Sequence, residues 1–199
     1  SLFQKAMLQT SEPIRHTEND FIDFKRERLL PHFLSTQGPR IAVGDVNNDG
    51  LDDFYLCGAK GTPGNLWIQQ SGGSFEQLPQ KDISKDAEKE EVDALFFDAD
   101  ADGDQDLYVV SGGNENEGKL LQDRLYINSS GQFKSSPLPK NWESGSCVVA
   151  ADYDSDGDLD LFVGTRGVPG RYPESAPSQL LANLGEGSFE IANEKMPNQ

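Results

Sequence analysis

Three short stretches of this 199-residue chain hold the side chains best suited to chemistry: DVNNDGLDD (45–53), DADADGDQD (98–106) and DYDSDGDLD (152–160). Each sets an oxygen-bearing side chain at loop positions 1, 3, 5 and 9, with glycine at position 6. These are Asp45, Asn47, Asp49 and Asp53; Asp98, Asp100, Asp102 and Asp106; and Asp152, Asp154, Asp156 and Asp160. Alternate residues of a tight loop can aim oxygens at one point, and Gly50, Gly103 and Gly157 permit the sharp turn. The position-7 backbone carbonyls of Leu51, Asp104 and Asp158 can add a ligand. A cage built only of oxygens suits Ca²⁺, so up to three calcium ions are expected. Mg²⁺ needs stricter octahedral geometry and keeps several waters, and Zn²⁺ prefers nitrogen and sulfur, for which only His16 and His32 are on offer, away from every loop.

The EF-hand shares the oxygens at 1, 3 and 5 and the glycine at 6, but it needs Glu at position 12 and helices on both sides. Here position 12 is Leu56, Val109 or Val163, inside apolar segments of strand length. The bidentate ligand is therefore expected from the Asp at position 9. Asn47 lowers the charge of the first loop, which should bind most weakly. An Asp-Gly turn can be acidic without binding anything; three in phase, with the alternation kept, point to a common ligand.

The net charge is −17, and fourteen of the 34 acidic residues lie in these three loops. Nucleic acid and anionic membranes are excluded as partners, since both require clustered Lys and Arg. No apolar run approaches the ~20 residues of a membrane span. Hydrophobic residues at 35 %, with 20 Gly and 11 Pro, suit a loop-rich β protein better than a helical bundle. The chain starts at Ser1 rather than Met, so the lack of a leader does not count against secretion.

Stepping from loop to loop takes 53 and then 54 residues, the mark of a repeat architecture. Before each loop lies a strand-like segment, RIAVG (40–44), VDALFF (92–97) or CVVAA (147–151), and after it another, FYLCG (54–58), LYVV (107–110) or LFVG (161–164). Each repeat then ends in a hairpin pattern around a Ser/Gly/Asn turn, at 65–78, 124–136 and 179–191. Four strands per unit of about 50 residues is the layout of a propeller blade. The expected fold is all-β, with three blades of four antiparallel strands at about 37–90, 91–145 and 146–199. Three blades do not close a ring, so the chain reads as an arc of a larger propeller or as a part that self-associates.

Residues 1–36 fall outside the repeat as an N-terminal extension or cap. Within them FIDF (21–24) has strand composition, and KRERLLPHF (25–33) reads as a charged helix interrupted by Pro31. Trp67 aligns with Tyr126 and Leu181, so packing is the expected role for it, and Trp142 is read the same way. Cys57 and Cys147 fall in non-adjacent units and read as two buried free thiols.

The pattern D-x-[DN]-x-D-G-x-x-D followed by an apolar strand and a Gly/Pro loop such as FVGTRGVPG (162–170) resembles the FG-GAP or VCBS repeat, which builds the propeller of integrin α chains. The stretch HTENDFIDFKRERLLPHFLSTQGP (16–39) resembles more narrowly bacterial secreted proteins related to cartilage acidic protein. The resemblance implies a β-propeller, Ca²⁺ in the loop between the first two strands, an extracellular, cell-surface or periplasmic setting, and binding of the cell-adhesion kind rather than catalysis.

In an up-and-down blade the calcium loops line one edge, and the connections between second and third strands (58–64, 111–123 and 165–178) line the other. A partner surface for a protein or glycan is expected on that second edge, with Arg166, Arg171 and Tyr172 as anchors. Catalysis is not expected: no nucleophile motif, histidine-rich metal site or phosphate loop is present, and the best carboxylates are committed to metal. A scaffold for an enzyme acting on polysaccharide and a purely structural segment are the alternatives.

Overall fold

The computed structural model describes residues 8–36 and 38–196. The first seven residues of the N-terminal extension, residue 37 and the last three residues of the third unit lie outside the described residues.

Each repeat folds into one antiparallel meander. The first holds β2 (Ile41–Gly44), β3 (Asp53–Leu56), β4 (Asn65–Gln69) and β5 (Ser74–Leu78), with β1 (Gln9–Thr10) added parallel to β5. The second holds β6 (Glu91–Phe97), β7 (Asp106–Ser111), β8 (Arg124–Ser129) and β9 (Gln132–Ser136). The third holds β10 (Ser144–Ala151), β11 (Asp160–Gly167), β12 (Gln179–Asn183) and β13 (Phe189–Ile191). All twelve strands expected from the repeat form. β10 begins at Ser144, ahead of the expected boundary between 145 and 146, because the strand runs on through a bulge to pair Ser144 with Gly167. Among the described residues no helix is long and apolar enough to cross a membrane.

The three sheets stack in chain order, with the first strands β2, β6 and β10 lying against one another. Ala42, Tyr55, Leu66 and Ile68 of the first sheet meet Phe96, Leu107, Val109, Tyr126 and Phe133 of the second. On the other face of the second sheet Phe97, Tyr108, Val110 and Leu125 meet Val148, Leu161, Val163, Leu181 and Phe189 of the third. The middle sheet is thus covered on both sides, which is why all six residues of β7 are buried and why LYVV shows no polar alternation. The end sheets keep one face open: Ile41 and Val43 on the first sheet and Val149 and Phe162 on the third are exposed.

Two expectations are corrected here. Cys147 shares the outer face of β10 with Val149 and is exposed, whereas Cys57 is buried as expected, and both are free thiols. Trp67 is buried, but Trp142 is 38 % exposed, with the Lys140 ammonium 3.6 Å from its ring centre.

Residues 8–36 do not stand apart from the repeats. Besides giving β1 to the first sheet, they run along the edge opposite the acidic loops. His16 Nδ1 lies 3.1 Å from the Cys57 carbonyl, Asn19 Nδ2 donates to Glu115 at 2.8 Å, and Arg26 donates to the Asn114 carbonyl at 2.6 Å and pairs with Glu117. FIDF is not a strand, and KRERLLPHF is not a helix: the only helical turn there is α1 (Asp23–Arg26), which straddles the two. Its buried Asp23 accepts from both the backbone N–H and the hydroxyl of Ser35, which ties the segment back on itself. Tertiary contacts along the edge override the local preference of both stretches.

Candidate functional site

The acidic loops join β2 to β3, β6 to β7 and β10 to β11, and they share one backbone conformation. Position 6 is left-handed at Gly50 (φ 82°), Gly103 (φ 93°) and Gly157 (φ 101°). Position 4 is left-handed too, at Asn48, Ala101 and Ser155, which composition does not reveal because Ala and Ser rarely adopt that conformation. The side chain at position 1 turns inward onto loop amides: Asp45 accepts from Asp49 and Gly50, Asp98 from Gly103, and Asp152 from Ser155, Asp156 and Gly157. At position 5, Asp49, Asp102 and Asp156 each accept from the N–H two residues on, at 2.8–2.9 Å.

Position 9 does more than the spacing suggests. Asp53, Asp106 and Asp160 are buried, and each bridges two backbone amides. One oxygen takes the position-2 N–H of its own loop, from Val46 (3.1 Å), Ala99 (2.8 Å) or Tyr153 (3.0 Å). The other takes an N–H from the third strand, from Gln69 (2.7 Å), Asn128 (2.7 Å) or Asn183 (2.8 Å). These carboxylates lock the loop to the sheet, and only their remaining lone pairs face the loop interior. The expected bidentate ligand is therefore first a structural anchor.

A second device was not read from the sequence. Asn128 Nδ2 of the second sheet donates to the Val46 carbonyl at 2.7 Å, and Asn183 Nδ2 of the third donates to the Ala99 carbonyl at 2.8 Å. Each unit thus clips position 2 of the preceding unit's loop. The signal was available, since Asn recurs at the end of the third strand in both units, with Gln69 at the matching place in the first. Asn48 of the first loop also donates to Asp104 of the second.

The loops differ in how they can hold an ion. Carboxylate oxygens of Asp98, Asp100 and Asp106 lie within 4.8 Å of one another, as do those of Asp152, Asp154 and Asp156. Two oxygens on opposite sides of one calcium stand about 5 Å apart, so both groups have the right span. In the second loop Asp98 Oδ1 is buried with no hydrogen-bond partner, an orphaned acceptor on one of these three carboxylates. The first loop offers no group of three carboxylates among the described residues, and its Asn47 Nδ2 donates to Asp49 at 3.1 Å. Burial pushes Asp106 up to about 6 despite its two amide bonds; burial followed by repulsion from Asp102 raises Asp100, and burial also raises Asp53. A bound cation would relieve that cost.

The opposite edge carries buried acids that lie outside the repeated loops. Buried Glu91 accepts from Tyr55 Oη, from the Gly58 N–H and from Arg124 Nη1, all at 2.8 Å. Beside it, Glu90 accepts from the Lys60 N–H at 2.8 Å, and burial with help from the charge of Glu115 holds its carboxyl at about 8. Buried Asp123 accepts from Tyr108 Oη and the Ser111 N–H and is pushed to about 6 by burial. The three expected anchors are divided here. Arg166 and Tyr172 line one cavity together, whereas Arg171 pairs with Glu174 at 2.7 Å and faces a neighbouring cleft with Trp142.

A family model described as an FG-GAP-like repeat matches residues 45–109 and again residues 98–163. Each match runs from one acidic loop into the strand that follows the next. No curated protein matches the chain.

Proposed function

Because the chain belongs to the FG-GAP-like repeat family, we propose that it is a calcium-stabilised, non-catalytic binding module whose three sheets are blades of a β-propeller. The observation that carries this reading is the second loop, where three carboxylates converge around an acceptor that has no partner. There Asp98, Asp100 and Asp106 would hold Ca²⁺, with Asp152, Asp154 and Asp156 in the third loop and Asp45, Asn47 and Asp49 in the first as the weakest site. The ion would supply positive charge and no reaction chemistry. It would cancel repulsion within each loop and, by binding only the folded state, stabilise the stack.

The setting is extracellular, cell-surface or periplasmic, where calcium is abundant. The 16–39 likeness to bacterial secreted relatives of cartilage acidic protein belongs to the same reading. Exposed Ile41 and Val43 at one end and Val149 and Phe162 at the other are the faces that further blades, or a second copy of this chain, would cover. The binding partner is a protein or glycan taken at the edge opposite the calcium loops. Titration calorimetry should detect calcium uptake at two or more sites, and a chelator should lower the melting temperature. No uptake, with a melting temperature indifferent to chelator, overturns the calcium reading. Product release from a polysaccharide that survives loss of all three loops overturns the non-catalytic one.

A further inference from the structure

Between the N-terminal segment and the 165–178 connection lies a cavity of about 200 Å³. Its walls include Leu30, Leu34, Val92, Val168 and Pro169. Two guanidinium groups line it as well. Among the described residues neither Arg40 nor Arg166 pairs with a carboxylate, and the Arg166 head group reaches only the Ser146 hydroxyl, at 3.2 Å. In a chain of net charge −17, two such cations beside one cavity stand out against the surrounding field.

Two carboxylates line the cavity as well, each bonded through one oxygen. Glu27 takes the Tyr172 N–H at 2.6 Å, and Glu174 takes Arg171 at 2.7 Å. Asn114, which is 1 % exposed, also lines the cavity; its Oδ1 takes the Gly170 N–H at 3.2 Å, but its Nδ2 is buried without a partner. The donors without a carboxylate partner are two exposed arginines and one buried amide, set beside the apolar wall. A buried donor without an acceptor is costly, so an occupant with an anionic acceptor is favoured. Polyanions are not, because the charge of the whole chain repels them. The volume falls below the ~300 Å³ at which drug-sized pockets begin, so it holds one residue-sized unit.

We infer that this cavity binds a small ligand that joins an apolar body to a single carboxylate, such as an apolar amino acid blocked at its amino group or the C-terminal residue of a peptide. The inference rests on the reading that this edge is the binding edge, and it names the chemistry recognised there.

The test uses the full chain in calcium, with calcium uptake measured on the same samples. N-acetyl-L-leucine is titrated by NMR or calorimetry against N-acetyl-L-leucinamide, which lacks the charge, and glucuronic acid, which keeps the carboxylate on a polar body. The acid should bind about tenfold or more tightly than the amide, the scale of a charged hydrogen bond. Glucuronic acid should bind more weakly than N-acetyl-L-leucine. Arg166→Gln and Arg40→Gln should each lose most of the difference between acid and amide while leaving melting temperature and calcium uptake unchanged. Equal binding of acid and amide, or full affinity in the double variant, overturns the inference. So does a protein that takes up calcium but binds none of the three probes, and that result leaves the calcium reading standing. Glucuronic acid binding as tightly as N-acetyl-L-leucine overturns the apolar body. A leucine-ended hexapeptide that matches N-acetyl-L-leucine assigns the ligand to a peptide terminus, whereas one that fails to bind assigns it to a free small molecule.

Discussion

The two edges of the sheet stack are built on opposite principles. Along one, a nine-residue loop recurs three times with the same left-handed positions, the same anchoring Asp and, between units, the same Asn clip. Along the other, connections of three different lengths are crossed by the N-terminal segment and joined by buried groups that occur once each, such as Glu90, Glu91 and Asp123. The repeated edge solves a local problem, bringing like charges together in a turn, and solves it the same way each time. The second edge solves a problem posed only by the assembled sheets: Glu91 and Asp123 take the same donor pair, a Tyr Oη and the N–H three residues on, but come from different places in the chain. Stability is built into the first edge, and individuality into the second.

The contrast is most sharply tested at Asp106. Asp106→Ala leaves the amides of Ala99 and Asn128 without their partner inside the stack, at about 1–3 kcal/mol each. A loss of about 2–5 kcal/mol is expected, or roughly 5–15 °C in melting temperature for a chain of this size, even in chelator. Asp100→Ala, in the same loop but only partly buried and bonded to a single loop amide, should abolish calcium uptake there and cost little in chelator. Equal losses from the two in chelator would show that the anchor is no more structural than its neighbours.

On the other edge, Glu90 should respond to pH. Its folded carboxyl titrates near 8, above the 4.5 of an unstrained Glu, chiefly because it is buried. The folded state therefore holds the proton more tightly, and the stability this brings is complete below about pH 4.5 and is lost as pH rises toward 8. Glu90→Gln keeps an acceptor for the Lys60 amide and removes the ionisation. It should raise the melting temperature at pH 8 by several degrees and leave it nearly unchanged at pH 4.5. A variant equally stabilised at both values would show that this carboxyl does not titrate in that window.

The smallest effect is expected at the clip between units. Asn183→Ala removes hydrogen bonds to the Ala99 and Leu159 carbonyls, a change of about 1–2 kcal/mol in denaturant unfolding. It should weaken calcium binding in the second loop, whose position 2 it holds at 2.8 Å, more than in the third, where it reaches only the Leu159 carbonyl at 3.2 Å. Equal weakening in both loops would mean that the clip acts on the whole stack.

Much of the repeated edge was legible in the residues. Period, glycine at position 6 and apolar flanks located the four repeat strands of each sheet, because strand pairing within each meander is local; the added β1 was not located. The spacing also marked Asp53, Asp106 and Asp160, but as ligands rather than as anchors, since a linear pattern does not show which amides a side chain meets once the third strand returns beside it. Cys147 was misread as interior because its local sequence is apolar, and exposure depends on whether another sheet lies outside it; Trp142 was misread because it lies ahead of β10, in a cleft beside Arg171. FIDF and KRERLLPHF were misread because Asp23 is held by Ser35 and Arg26 by residues 114 and 117, contacts that a local pattern does not show.

Sequence by itself determined the loop and the strand, since both rest on near-neighbour sterics, alternation and the charge a short turn can gather. Only the tertiary structure decided which face of each sheet is dry, and where the N-terminal segment runs. The cavity where Arg40, Arg166 and Asn114 meet belongs to the same class, because it depends on groups brought together from positions 40, 114 and 166 by the stacking of three sheets.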